Sequence, residues 1–196
     1  MPDPAAIPFP LRRGRVHEAF GPGAAGFAAV ACAQAQGALI WVRESWQPAA
    51  LHPVGLSPFF DPARLLVAQA KDQTDALAVA EEALKDGVVA LVVIEISRPL
   101  DLREGRRLQL AARAGGATGL CLIPEGMGSN AAETRWHCAP ILDPQTADLS
   151  TPMRWELKKN KSGTVGAWHV RWSAETHRLD VVPPSSKRPG SAGMSD

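Results

Sequence analysis

The spacing of apolar residues changes once, decisively, along this chain of 196 residues. Up to residue 142, short apolar runs alternate with amphipathic or Ala-rich stretches; beyond residue 152, apolar positions recur at every second residue. Val16–Phe20 predicts a short strand entering the glycine-rich stretch Gly21–Gly26, Phe27–Gln36 a helix, and Ala38–Val42 a buried strand. His52–Pro62 is interrupted by Pro53, Gly55, Pro58 and Pro62, which predicts a loop or a broken helix. Arg64–Gln69 follows as a strand. Asp72–Lys85 then places Ala76, Leu77, Ala80 and Leu84 on one helical face and stops at Asp86-Gly87.

Val88–Ile96 is a continuous apolar strand, the pattern of a parallel sheet covered on both faces. Asp101–Ala114 predicts a helix opened by a capping box, Asp101 with Glu104, and closed by Gly115-Gly116. Thr118–Ile123 reads as a strand, Glu125–Ala132 as a polar loop, and Thr134–Leu142 as a further strand. After Asp143–Pro152, the alternations Met153/Trp155/Leu157, Trp168/Val170/Trp172 and Leu179/Val181 predict an antiparallel meander with one packed face. The expected fold class is α/β: a largely parallel sheet flanked by helices, plus the meander at 153–182. An irregular arm at 1–13, one domain at 14–182 and a Pro/Ser/Gly-rich disordered tail at 183–196 complete the expected organisation.

Charge adds a regional asymmetry. Residues 1–150 carry 13 Lys and Arg against 16 Asp and Glu, whereas residues 151–196 carry 8 against 4. The C-terminal quarter therefore favours an anionic partner. Cys32, Cys121 and Cys138 lie among apolar residues with no C-x-x-C spacing, which predicts free thiols and a cytoplasmic location. No apolar stretch approaches the roughly 20 residues of a membrane span, and the N-terminus lacks a signal-peptide pattern. The five histidines are scattered, so no metal site is expected.

The glycine-rich stretch carries the sharpest chemical question. A phosphate-binding loop reads G-x-x-x-x-G-K-[ST], in which backbone amides and Lys hold phosphates and the hydroxyl holds Mg²⁺. Here Gly21 and Gly26 keep the spacing and Gly23 lies between them, but Phe27 replaces the Lys and Ala28 the hydroxyl residue. The bland alternative is a plain strand-to-helix turn. Glu95, at the end of an apolar strand, stands where a metal-holding acid would, and Glu44 where a water-activating acid would. Without the loop's cation and hydroxyl both are expected to be vestigial. No cofactor and no enzymatic activity are expected. Arg106 and Arg107 on the second long helix, with Lys158 and Lys161 at the Trp155–Trp168 hairpin tip, are the candidate contacts for a protein partner or DNA; solvated surface charge is the alternative.

Gly55–Ile96 resembles the RecA family in the order of its Gly/Pro loop, Asp61-Pro-Ala-Arg-Leu-Leu-Val strand, Gln73–Lys85 helix and Val88–Glu95 strand. With the glycine stretch and Glu44, the resemblance covers most of residues 14–142. More specific matches, Arg106-Arg-Leu-Gln-Leu-Ala-Ala112, Ala131–Trp136, Arg154-Trp155-x-Leu157, Gly163 to Trp168, and Arg171-Trp172, are similar to the ImuA family. These are RecA-like accessory proteins of damage-induced mutagenesis in bacteria.

The resemblance implies a non-catalytic scaffold that binds ImuB, a polymerase-like protein, and RecA, with an error-prone polymerase as an indirect partner. Arg171 stands where the family commonly has an acid, and Lys158 and Lys161 where it has arginines. The chain begins close to the glycine stretch, without the longer extension by which RecA joins its neighbours, so filament-type self-assembly is not expected. A nucleotide-binding regulator, with phosphate held by backbone amides alone, and a SulA-like inhibitor of cell division are the competing classes.

Overall fold

A computed structural model describes residues 7–141 and 152–182. The strands form one nine-stranded sheet in the order β3-β2-β4-β5-β1-β6-β7-β8-β9. Strands β1 (Val16–Phe20), β2 (Ala38–Glu44), β3 (Leu65–Ala70), β4 (Val89–Glu95), β5 (Thr118–Leu122) and β6 (Thr134–Pro140) pair in parallel. Strands β7 (Met153–Asn160), β8 (Gly166–Ser173) and β9 (Arg178–Val182) continue the same sheet antiparallel from β6. The mixed α/β class with its C-terminal meander is as the sequence predicts. The expected arm at 1–13 is described only from Ile7 onward, and the expected tail at 183–196 lies outside the described residues.

Helix α1 (Ala24–Gln34) is apolar all round, and its sequence AAGFAAVACAQ has no polar face to offer water. The protein encloses it accordingly: Phe27, Ala28, Val30 and Cys32 are fully buried. Its surroundings include Trp41, Leu91 and Leu120 from the parallel strands and Trp136, Trp155, Leu157, Val170 and Trp172 from β6–β8. Phe9 of the N-terminal arm packs on both Phe27 and Trp155. The connection from β2 to β3 carries the short helix α2 (Pro53–Leu56) and a 3-10 turn (Pro62–Arg64), both within or bordering the stretch read as a loop or broken helix. It reaches β8 on the far side of the sheet order: the Trp172 indole donates to the Pro58 carbonyl at 2.9 Å, and Phe59 stacks on Trp172.

Helices α3 (Gln73–Asp86) and α4 (Leu102–Gly115) cover the other face over the parallel strands, burying Ala76, Leu77, Ala80, Leu84, Leu108, Ala111 and Ala112. Asp72 caps α3 by accepting from the Asp75 amide at 3.0 Å. The capping box of α4 is complete: Asp101 accepts from the Glu104 amide at 2.7 Å, and Glu104 from the Asp101 amide at 2.9 Å. The C-termini of the two helices meet backbone to backbone, because a Cβ at Gly115 would lie 2.1 Å from the Leu84 carbonyl oxygen. Buried and half-buried or exposed positions alternate along the start of β7, so Trp155 and Leu157 face α1 while Arg154, Glu156 and Lys158 face away.

Candidate functional site

The glycine stretch folds as a tight turn. Helix α1 begins at Ala24, three residues before the predicted start, so the turn after β1 is only Gly21-Pro22-Gly23. Gly26, Phe27 and Ala28 lie inside the helix. Gly21 has φ +92°, and a Cβ there would stand 2.6 Å from the Cys138 carbonyl oxygen of β6, so the position requires glycine. The Gly23 amide donates to that same carbonyl at 2.8 Å, the Ala24 amide to Gly21 at 3.1 Å, and the Phe27 amide to Gly23 at 3.0 Å. Three of the amides along this stretch, those of Gly23, Ala24 and Phe27, are thus bonded within the protein. Phe27, in place of the lysine, lies in an aromatic cluster with ring centroids 4.5 Å from Trp155, 5.4 Å from Trp136 and 5.6 Å from Phe9.

A crevice of 390 Å³ opens at the carboxyl ends of the parallel strands, lined by Ala25, Trp41, Arg43, Leu51, Glu95 and Pro124 among others. This is where open parallel sheets place ligands. Glu95 reaches it, but its carboxylate is engaged: the Trp41 indole donates at 2.8 Å, and the Arg43 guanidinium lies 3.3 Å away. Glu95 is the sole acid among the lining residues, and Arg43 already supplies its countercharge. The donor set therefore does not suit a metal, and no metal-competent cluster of His, Cys, Asp or Glu occurs among the described residues.

Glu44 does not share this site. Alternation along β2 turns it to the α3 face with Val42, where it is buried and its Oε2 has no hydrogen-bond partner among the described residues. Sequence reasoning singled out Glu44 and passed over Arg43 and Trp41. The signal was present, since period two puts Trp41 and Arg43 on one face of an otherwise apolar strand.

At the amino ends of β1 and β6, away from the turn, buried polar groups tie the two strands together. The His17 Nδ1 lies 2.7 Å from Thr134 Oγ1, its Nε2 lies 3.0 Å from the Arg12 carbonyl, and the Trp136 indole donates to Thr134 Oγ1 at 2.9 Å. These partners fit one arrangement, in which the Thr134 hydroxyl donates to Nδ1 and Nε2–H donates to Arg12. Burial holds the imidazole neutral and lowers its pKa to about 4. The unfolded chain binds a proton near pH 6.5 and the folded one does not, so stability is full above that pH and falls as pH drops towards 4. The expected loss from this group is about 2 kcal/mol between pH 8 and pH 5. Urea unfolding at the two pH values measures it, and His17→Gln should flatten that part of the profile.

Glu18, also buried, accepts from Arg135 and from the Ser129 amide, each at 2.7 Å, and so anchors the loop before β6. The candidate contact residues separate into different situations. Lys161 donates to the Ala131 carbonyl at 2.7 Å, and Lys159 to Asn130 at 2.9 Å, so this end of the hairpin tip is fastened to the same loop. Lys158 lies on the opposite face, 2.6 Å from Glu156, which Arg154 also engages at 2.6 Å. These two cations hold the Glu156 carboxyl below the usual carboxylate range. Arg107 pairs with Glu81 of α3, whereas Arg106 makes no ion pair among the described residues. Cys32, Cys121 and Cys138 are free and buried, and burial pushes the Cys32 thiol up to about 12. No helix among the described residues is long and apolar enough to cross a membrane.

Fold and site together define an α/β protein in which an α1 turn and a carboxyl-end crevice, both suited by position to a nucleotide, are filled or neutralised by its own side chains. No family model matches the chain. Protein ImuA from two strains of Caulobacter vibrioides is 34% identical over 156 residues, an alignment covering 72% of this chain and 63% of each relative. The chain belongs to the ImuA family. It thus spans less than two thirds of the length of the curated relatives it matches.

Proposed function

We propose that this chain is a non-catalytic, RecA-like scaffold of the damage-induced mutagenesis machinery, assembling an SOS-induced translesion-synthesis complex in the cytoplasm by binding ImuB and RecA. The observation that carries the non-catalytic part is Phe27, buried among Phe9, Trp136 and Trp155 at the position of the phosphate-binding lysine. Two others support it: the Gly23 amide is bonded to Cys138, and Arg43 neutralises the acid of the crevice. A charge-assisted phosphate contact contributes roughly 1.5–3 kcal/mol, so its loss together with the metal oxygen weakens nucleotide affinity by orders of magnitude. The partner assignment rests on membership of the ImuA family.

Two measurements test the proposal. Calorimetric titration with Mg²⁺-ATP is expected to show no micromolar binding; a micromolar site would favour the nucleotide-binding regulator. Co-purification with ImuB, RecA and FtsZ is expected to retain the first two. Retention of FtsZ alone would favour an inhibitor of cell division.

A further inference from the structure

The outward face of α4 sets exposed leucines among arginines without an ion pair among the described residues, and we infer that it is a docking surface for an acidic protein segment carrying apolar anchors. This inference rests on the scaffold reading above and specifies one of its contact surfaces. Gly105, Leu108, Ala111 and Ala112 turn inward, leaving Leu102, Arg103, Arg106, Leu110 and Arg113 outward. At 100° per residue, Leu102, Arg106, Leu110 and Arg113 fall within an arc of about 80°, and the two leucines stand about 12 Å apart along the axis. Leu102 is 59% exposed and Leu110 66% exposed. Arg103, Arg106 and Arg113 make no ion pair among the described residues, while Arg107, at the edge of the stripe, is held by Glu81.

Helix propensity favours Leu and Arg alike, but it does not require them to share one outward face. Arg113 in the last turn suits the helix dipole, but Arg103 lies in the first turn, where a cation opposes it. Leu102 and Leu110 suit a helix but bury little within the fold. Guanidinium groups pair with carboxylates or phosphates alike. The leucines decide between them, because a phosphate backbone offers nothing for Leu102 and Leu110 to bury against, whereas an amphipathic acidic helix offers both groups at the two-turn spacing. The stripe therefore fits a Glu-rich peptide with leucine-type anchors, and the arginines alone would have sufficed for DNA.

The test uses the full chain and two fluorescent probes: a helical peptide with leucines at two-turn spacing among glutamates, and an oligo-dT single strand. The peptide is expected to bind, and Leu110→Ser and Arg106→Glu are each expected to weaken it at least tenfold without changing the thermal melt. A lysine-for-glutamate peptide is expected to bind the Arg103→Glu/Arg106→Glu/Arg113→Glu variant. Absence of peptide binding, or binding indifferent to Leu102→Ser and Leu110→Ser, would overturn the inference. So would oligo-dT binding that depends on the arginines and outcompetes the peptide. Co-purification of wild-type protein with ImuB and RecA reads the scaffold role separately: if it persists while the peptide fails, only the α4 surface is rejected.

Discussion

Restoring lysine at position 27 is expected to unfold the protein and leave it without ATPase activity. Phe27 is fully buried, edge-on to Trp155 and close to Trp136 and Phe9. Removing such a ring from a core costs roughly 3–5 kcal/mol through lost burial and the cavity left behind. An ammonium placed there would lie among the rings of Phe9, Trp136 and Trp155, and its desolvation adds several kcal/mol more. Against a total stability of roughly 5–15 kcal/mol, the sum is close to the whole. Phe27→Lys/Ala28→Ser is therefore expected to be insoluble or to lack a cooperative melt, whereas Phe27→Ala should stay folded with a loss of about 3–5 kcal/mol. A folded double variant that hydrolyses ATP would show that the turn can still open around a phosphate.

Removing the meander is expected to be as damaging. Trp155, Leu157, Val170 and Trp172 belong to the cluster that encloses α1, and each contributes roughly 1.5–3 kcal/mol of burial. A chain ending at residue 143 would expose Phe27 and Trp136 and leave β6 with an unpaired edge, which invites aggregation. A chain ending at Pro183 keeps every residue of that cluster and is expected to melt like the full protein. Solubility and cooperative unfolding of the two truncations decide the matter; a stable, cooperatively unfolding 1–143 fragment would show the meander to be dispensable.

Damage to the α1 environment and damage to a binding surface should be separable. Core variants such as Phe27→Ala change the melt, whereas the exposed α4 variants Leu110→Ser and Arg106→Glu change association alone.

Local rules settled much of this protein in advance. The caps at Asp72 and Asp101, the stops at Gly87 and Gly116, and the period-two alternation of β7 and β8 each depend on residues within a few positions of one another, so the chain states them openly; the edge strand β9 departs from the expected packed face, since Val181 is 50% exposed. The absence of a lysine and a hydroxyl after Gly26 is equally local. What neighbouring residues do not encode is where distant segments meet. Helix α1 starts at Ala24 because the Gly23 amide finds the carbonyl of Cys138 on β6, a partner supplied only by the β1–β6 pairing; Gly23 has no capping side chain to announce it. The register of β2 against β4 brings Arg43 and Trp41 to Glu95, turning an acid read as a vestigial metal ligand into a neutralised ion pair. Lys161 is charged in the sequence either way, and only the fold of the loop before β6 makes the Ala131 carbonyl its partner. The sequence determined the elements and the missing phosphate chemistry, because both follow from local backbone preferences and side-chain identity. Tertiary structure decided how the vacant positions are filled and which cations stay available, because both depend on long-range pairing and burial.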